Sequence, residues 1–128
     1  MELLDVIDVK ELQRLQDLFA QATGMAAVTV DLKGAFVTKP SNFTDFCMKY
    51  TRNSPLGAQR CERCDAEGKG AYFCHAGLMD FAQPIVVDGE QLGNVLGGQV
   101  LPCEPDLEKF RRTAQELGIP EDEYIATL

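Results

Sequence analysis

The sequence predicts an α+β domain, a five-stranded antiparallel sheet with helices gathered against it. Three observations carry that expectation. Apolar periodicity switches between the helical 3.6 and the strand period of 2 several times along the 128 residues. Two turn signals, Asp31-Leu32-Lys33-Gly34 and Asp88-Gly89, each stand between alternating apolar stretches, as hairpin loops do. A helical excursion separates the two hairpins, so the order reads helix, two strands, two short helices, three strands, helix. This length suits one hydrophobic core, and residues 1–128 read as a single domain.

The first helix is expected over residues 8–24. Asp8 and Glu11 make a capping-box pattern, Leu12, Leu15, Leu18, Phe19 and Ala22 recur at helical spacing, and Gly24 is placed to end it. The apolar segment Leu3–Ile7 before it could pack on the core or on another subunit. Val28 and Val30 alternate with small or polar residues as in a half-buried strand, and Ala35–Thr38 returns as a second, closed by Pro40. Phe43, Phe46, Cys47 and Tyr50 then lie on one face of a short helix begun by Ser41 or Asn42. After the polar link "TRNSPLG" a second helical stretch runs from Ala58 to about Lys69, with Cys61 and Cys64 sharing a face.

From Ala71 the period returns to two. "AYFCH" reads as one strand, "LMDFAQPIVV" as the next with an edge or kink at Pro84, and "EQLGNVLGGQVL" as the last. Gly93, Gly97 and Gly98 imply bulges or close backbone approach there. Leu107, Phe110, Ala114 and Leu117 form a final helical stripe, with Pro105 in the first turn and Gly118 as stop. "IPEDEYIATL" begins another turn of helix.

Composition narrows the function classes. Twelve Lys and Arg stand against 20 Asp and Glu, a formal net charge of −8, with no concentrated basic patch. Phosphate contacts need clustered cations, so direct nucleic-acid binding is not expected of this segment. No apolar run reaches the roughly 20 residues that span a bilayer, and the acidic amino terminus is unlike a secretory signal. A cytoplasmic location is the expectation. Five cysteines, an odd number in a reducing context, argue against a disulfide framework.

Three of those cysteines and the single histidine fall within "RCERCDAEGKGAYFCHAGLMDF", residues 60–81. With Cys47 the spacing is C-x13-C-x2-C-x9-C, and Cys47, Cys61, Cys64 and Cys74 could bind zinc tetrahedrally or hold an iron–sulfur cluster. The plainer reading makes Cys47 and Cys74 small hydrophobes in the core. The Cys61/Cys64 pair resists it, because its flanks are polar. A redox-active CxxC lacks the usual strand-then-helix setting. If Cys74 and His75 lie in a strand they point to opposite faces, Cys74 toward a metal and His75 toward a pocket. His75 could also complete a Cys3His site. Catalytic constellations are thin, and an enzyme is not expected: there is no nucleophile elbow and no phosphate loop.

Residues 3–104 resemble the PocR-type sensory domain of bacterial regulators. The pieces that carry the resemblance are "NF" with "FC", "RCERCD", "CHAGLMDFAQPI" and "LGNVLGGQV". It implies a PAS-like fold, the sensing of a small organic ligand of propanediol-like kind, and an attached output module. Such outputs include DNA-binding regulators, histidine kinases and cyclic-dinucleotide enzymes. The chain would then be a domain excised from a longer regulator. Cys47, Cys61, Cys64 and Cys74 fall on the family's cysteines, and Phe43, His75, Gly77 and Gln99 on other characteristic positions, which we take as candidate ligand-binding residues. The glycines have an equally simple reading as backbone devices.

Two further function classes stand beside the ligand sensor. In one, the cysteines themselves receive the signal, as a zinc, iron–sulfur or thiol redox sensor. In the other, the chain is a dimerisation module without ligand. The apolar amino-terminal segment points to a homodimer, and the helices over 8–22 and 105–117 are the expected transmitters.

Overall fold

The computed structural model describes residues 2–128. Its elements are α1 (Leu3–Val6), α2 (Val9–Thr23), β1 (Ala26–Val30), a π-helix (Phe46–Thr51), α3 (Pro55–Glu67), β2 (Gly70–Phe73), β3 (Met79–Val87), β4 (Glu90–Val100), α4 (Leu107–Leu117) and α5 (Glu121–Ala126). The class is α+β as expected. The sheet has four strands rather than five, all antiparallel, in the order β1-β4-β3-β2.

The missing strand is Ala35–Thr38. That stretch meets β1 through one isolated bridge, Val30 with Phe36, and through Val37 N and Thr38 N donating to Thr29 O, while Ser41 beyond it bridges Ala27, and no regular ladder forms. Side chains hold it as well: Thr29 N donates to Thr38 Oγ1, and the Thr38 and Thr29 hydroxyls both reach Gln16 Oε1 on α2. A buried polar cluster thus takes the place of a ladder. The hairpin signal at Asp31–Gly34 is real as a turn, with Asp31 Oδ1 accepting from Lys33 N and Ala35 N.

Antiparallel pairing sorts the strand residues onto two faces. Val28, Val30, Ala82 and Leu96 share the inward face and form one apolar cluster with Tyr72. The opposite face carries Thr29, Val95 and Phe81, and α2 lies over its β1 edge. Asp8 caps α2 by accepting from Lys10 N, but Glu11 pairs with Arg14 rather than closing a box. Leu12, Gln16 and Ala20 are the buried positions of α2, while Leu15 and Leu18 are exposed.

Beyond the inward face sits a second cluster of Phe46, Cys47, Ala76, Leu78, Phe110, Ala114 and Tyr124. Phe46 stacks on Tyr124 at 4.1 Å between ring centroids and meets Phe110 edge-on at 5.7 Å. Thr51 at the end of the π-helix is 2.6 Å from the Tyr124 hydroxyl. These contacts clamp α4 and α5 onto the segment that carries Cys47 and the functional candidates.

Candidate functional site

Four segments meet above the inward face of the sheet. The π-helix brings Cys47 and hands the chain to Arg52. Ser54 caps α3 by accepting from Gly57 N, with Pro55 at its first position, and α3 then carries Cys61, Cys64 and Asp65. The turn between β2 and β3 supplies Cys74 and His75. Asp80 on β3 and Gln99 on β4 complete the floor.

Cys74 and His75 are not in a strand. β2 ends at Phe73, and Cys74–Gly77 forms a tight turn in which Gly77 N donates to Cys74 O and Cys74 N to Leu78 O. Gly77 has a φ of +94°, which side chains with a Cβ rarely adopt, and its Cα lies under the Phe110 ring. The alternation argument fails at these two residues. Both line the same cavity, and His75 Nε2 stands 3.1 Å from Cys61 Sγ.

Two small cavities share the walls Arg52, Asp65, Asp80 and Gln99. Each has about 20 Å³ of room, space for roughly one water-sized group. The first is bounded by Phe43, Ala26, Val28, Leu96 and Gly97, the second by the cysteines and His75. An outer groove of about 410 Å³ lies on the other side of the Cys74–Gly77 turn, against Leu101, Lys109 and Phe110. Cys74 and His75 therefore form the wall between inner cavity and outer groove.

Arg52 is the central cation. Its Nη2 donates to Asp65 Oδ2 at 2.6 Å, and its guanidinium lies 4.7 Å and 5.4 Å from the ring centroids of Phe36 and Phe43. Its Nε is buried with no hydrogen-bond partner, as is His75 Nδ1. Asp80 Oδ1 accepts from Gln99 N, and Gln99 sits in a left-handed conformation, φ +57°, at the β4 irregularity. There its side chain reaches back to accept from Thr44 N and Oγ1. Burial raises the Asp80 carboxyl to about 6 and lowers the His75 imidazole to about 4.

Of the expected ligand-contacting residues, Phe43 and Gln99 line the first cavity, and Gln99 and His75 the second. Gly77 faces only the outer groove, which His75 also borders. The set is therefore split across a wall rather than gathered in one pocket. Arg52, Asp65 and Asp80 were not singled out by the sequence. Asp80 left a readable trace, because it is in phase with inward-facing Ala82 and a charge on the core phase of a strand is unusual. Arg52 left none, since an arginine in a polar link reads as surface.

Cys47, Cys61, Cys64 and Cys74 do come together, all lining the second cavity, while Cys103 is exposed elsewhere. Among the described residues, however, no three Cys, His, Asp or Glu side chains converge at a spacing that could hold a metal ion. Burial pushes the thiols up, Cys47 to about 12 and Cys74 to about 11, with Cys61 and Cys64 also raised. The four form a neutral, polarisable wall.

The family model described as the sensory domain found in PocR matches residues 5–128. A relative, the regulatory protein PocR of Salmonella typhimurium, is 42% identical over 91 residues, covering 64% of this chain and 30% of the relative. The aligned part is thus under a third of that regulator's length. No solved structure matches. No helix among the described residues is long and apolar enough to cross a membrane. With the family model spanning all but the first four residues, the chain belongs to the family of sensory domains found in PocR.

Proposed function

We propose that this domain senses a small, uncharged, hydroxyl-bearing organic molecule and passes the signal to an attached output module of a regulatory protein. The observation that carries the reading is the buried, unpartnered Nε of Arg52, in a cavity whose walls also carry the Asp80 carboxylate. A hydroxyl can accept from the first and donate to the second. Arg52 and Asp65 neutralise each other, so the ionised Asp80 leaves the cavity with one net negative charge near pH 7. An anionic ligand is disfavoured there, and the small volume admits little more than the hydroxyl end of a ligand unless the wall moves.

Transmission follows from the wall. A ligand that enters past the Cys74–Gly77 turn displaces it, and the turn bears on Phe110 of α4 through Gly77. Binding then shifts the population toward one arrangement of α4 and α5. Thermal-shift titration with short alcohols and diols, carboxylates and amines tests this. A neutral hydroxyl compound should raise Tm and the matching carboxylate should not. If no compound of the hydroxyl class stabilises the domain, the reading fails.

A second reading, with the cysteines as receivers of the signal through zinc, an iron–sulfur cluster or thiol chemistry, is favoured by the four thiols on one wall. Metal analysis and a visible spectrum of anaerobically purified protein separate the two.

A further inference from the structure

The two inner cavities have about 20 Å³ of room each, whereas the outer groove has about 410 Å³. Of the three, only the groove falls in the roughly 300–1,000 Å³ range of ordinary small-molecule sites. Yet Arg52 and Asp80, the polar groups suited to a hydroxyl, belong to the inner cavities. Recognition chemistry and room for a ligand therefore lie on opposite sides of one wall.

Three consecutive residues, Cys74, His75 and Ala76, border both the thiol-lined cavity and the groove. They are held unequally. Cys74 is fixed through its backbone, with N donating to Leu78 O and O accepting from Gly77 N. Ala76 is buried and has no side chain to turn. The His75 ring has one hydrogen bond, Nε2 with Cys61 Sγ at 3.1 Å, and its Nδ1 is buried without a partner. A single neutral hydrogen bond is a weak tether. On the far side, half-buried Leu101 and Pro105 and buried Phe110 give the groove apolar walls, while Glu104, Asp106 and Lys109 stand exposed at its edge.

We propose that His75 sets the length of the ligand this domain accepts, an inference that rests on the hydroxyl-sensing reading above. The ligand places its hydroxyl end between Arg52 and Asp80, and the imidazole stands where its carbon chain would continue into the groove. With the ring bonded to Cys61, the site is closed and takes a short alcohol. With the ring removed, cavity and groove become one elongated site, polar at its inner end and apolar along the rest. Such a site takes a longer, unbranched alcohol.

NMR titration of the isotopically labelled 128-residue chain with ethanol, butanol and hexanol tests this. The Gln99 amide reports the inner cavities and the Thr113 amide the groove. In the wild-type chain Gln99 should respond to ethanol, affinity should not rise toward hexanol, and Thr113 should stay silent. In His75→Ala each methylene buried in the groove should tighten binding about fourfold, and hexanol should shift Thr113. Cys61→Ala keeps the ring and cuts its tether, so hexanol should gain less there than in His75→Ala. It also carries the test if His75→Ala does not fold, which far-UV circular dichroism shows. A rise in affinity with chain length in the wild-type chain, or the same flat profile in both variants, overturns the proposal while leaving hydroxyl sensing in place. A Gln99 amide that answers no alcohol in any of the three proteins overturns the sensing reading and the length gate together.

Discussion

Cys61 Sγ on α3 and His75 Nε2 in the β2–β3 turn stand 3.1 Å apart, joining the helix to the wall of the inner cavity. Burial holds the thiol protonated and the imidazole neutral, so the contact is one neutral hydrogen bond whose donor is set by the His75 tautomer. His75→Ala removes the partner of the Cys61 thiol and opens the wall toward the outer groove. The expected cost is about 1 kcal/mol of stability, read by urea denaturation. An unchanged midpoint would mean that the contact contributes nothing to holding the turn.

Asp80 gives the domain a pH dependence of unusual sign. Its folded-state carboxyl titrates near 6, above the ordinary 3.8, because burial disfavours the charge. A raised carboxyl adds stability that is complete below the unfolded value and is lost as pH rises through about 6. His75, lowered from 6.5 to about 4, works the other way: its stability is complete above 6.5 and lost as pH falls toward 4. The two oppose each other between pH 4 and 6.5. Asp80→Asn keeps an oxygen for Gln99 N and removes only one limb. It should stabilise the protein at pH 7.5, by about 1–2 kcal/mol, and leave a profile that falls on acidification. A profile identical to wild type would show that Asp80 is not buried as a carboxyl.

Much of this fold is legible in residue spacing, and the failures share a cause. α2, α4, β3 and β4 follow from periodicity and from Gly24, Gly118 and Asp88-Gly89, all local signals. The Ala35–Thr38 strand fails because Gln16, 22 residues before Thr38, bonds its hydroxyl and draws the segment into a polar cluster. Cys74 and His75 fail because Gly77 turns the chain one step after a strand-like run, and the sequence shows only the run. The cysteine cluster was visible as composition. Arg52 was not, because its burial depends on Asp65 and on two aromatic rings brought from elsewhere in the chain.

Arg52 and Asp65 form a pair with little exposure, and losing one partner strands the other. Arg52→Met should destabilise the domain by about 3 kcal/mol through the unpaired Asp65 carboxylate. The double variant with Asp65→Leu should recover part of that loss, since an apolar pair of similar volume is tolerated where a lone charge is not. Chemical denaturation of the four-member cycle measures the coupling. Additive single effects would show that the pair is solvated.

Gly77 ties the cavity wall to α4. Its φ of +94° and the Phe110 ring 3.2 Å from where a Cβ would stand both oppose a side chain. Gly77→Ala should cost about 1–3 kcal/mol in strain and a displaced ring. Gly89, also at positive φ but with open space around its missing Cβ, is the control. Gly89→Ala carries the backbone strain alone, so the difference between the two variants reads the Phe110 contact. Equal costs would remove the steric link proposed between turn and helix.

The distribution of thiols makes a final prediction that separates an open site from a closed one. Cys103 is exposed, Cys47 is buried, and Cys61, Cys64 and Cys74 are half-buried along the cavity. Thiol–disulfide exchange requires both thiolate and access, and burial withholds both from the cavity cysteines. Under native conditions one thiol per chain should react quickly with an aromatic disulfide reagent, and Cys103→Ser should abolish that phase. The other four should react at rates set by local opening, and all five at once in denaturant. A hydroxyl-bearing ligand seated beside Arg52 should slow the four further without touching Cys103. A fast phase of two or more thiols would mean that the Cys74–Gly77 turn stands open in the resting protein.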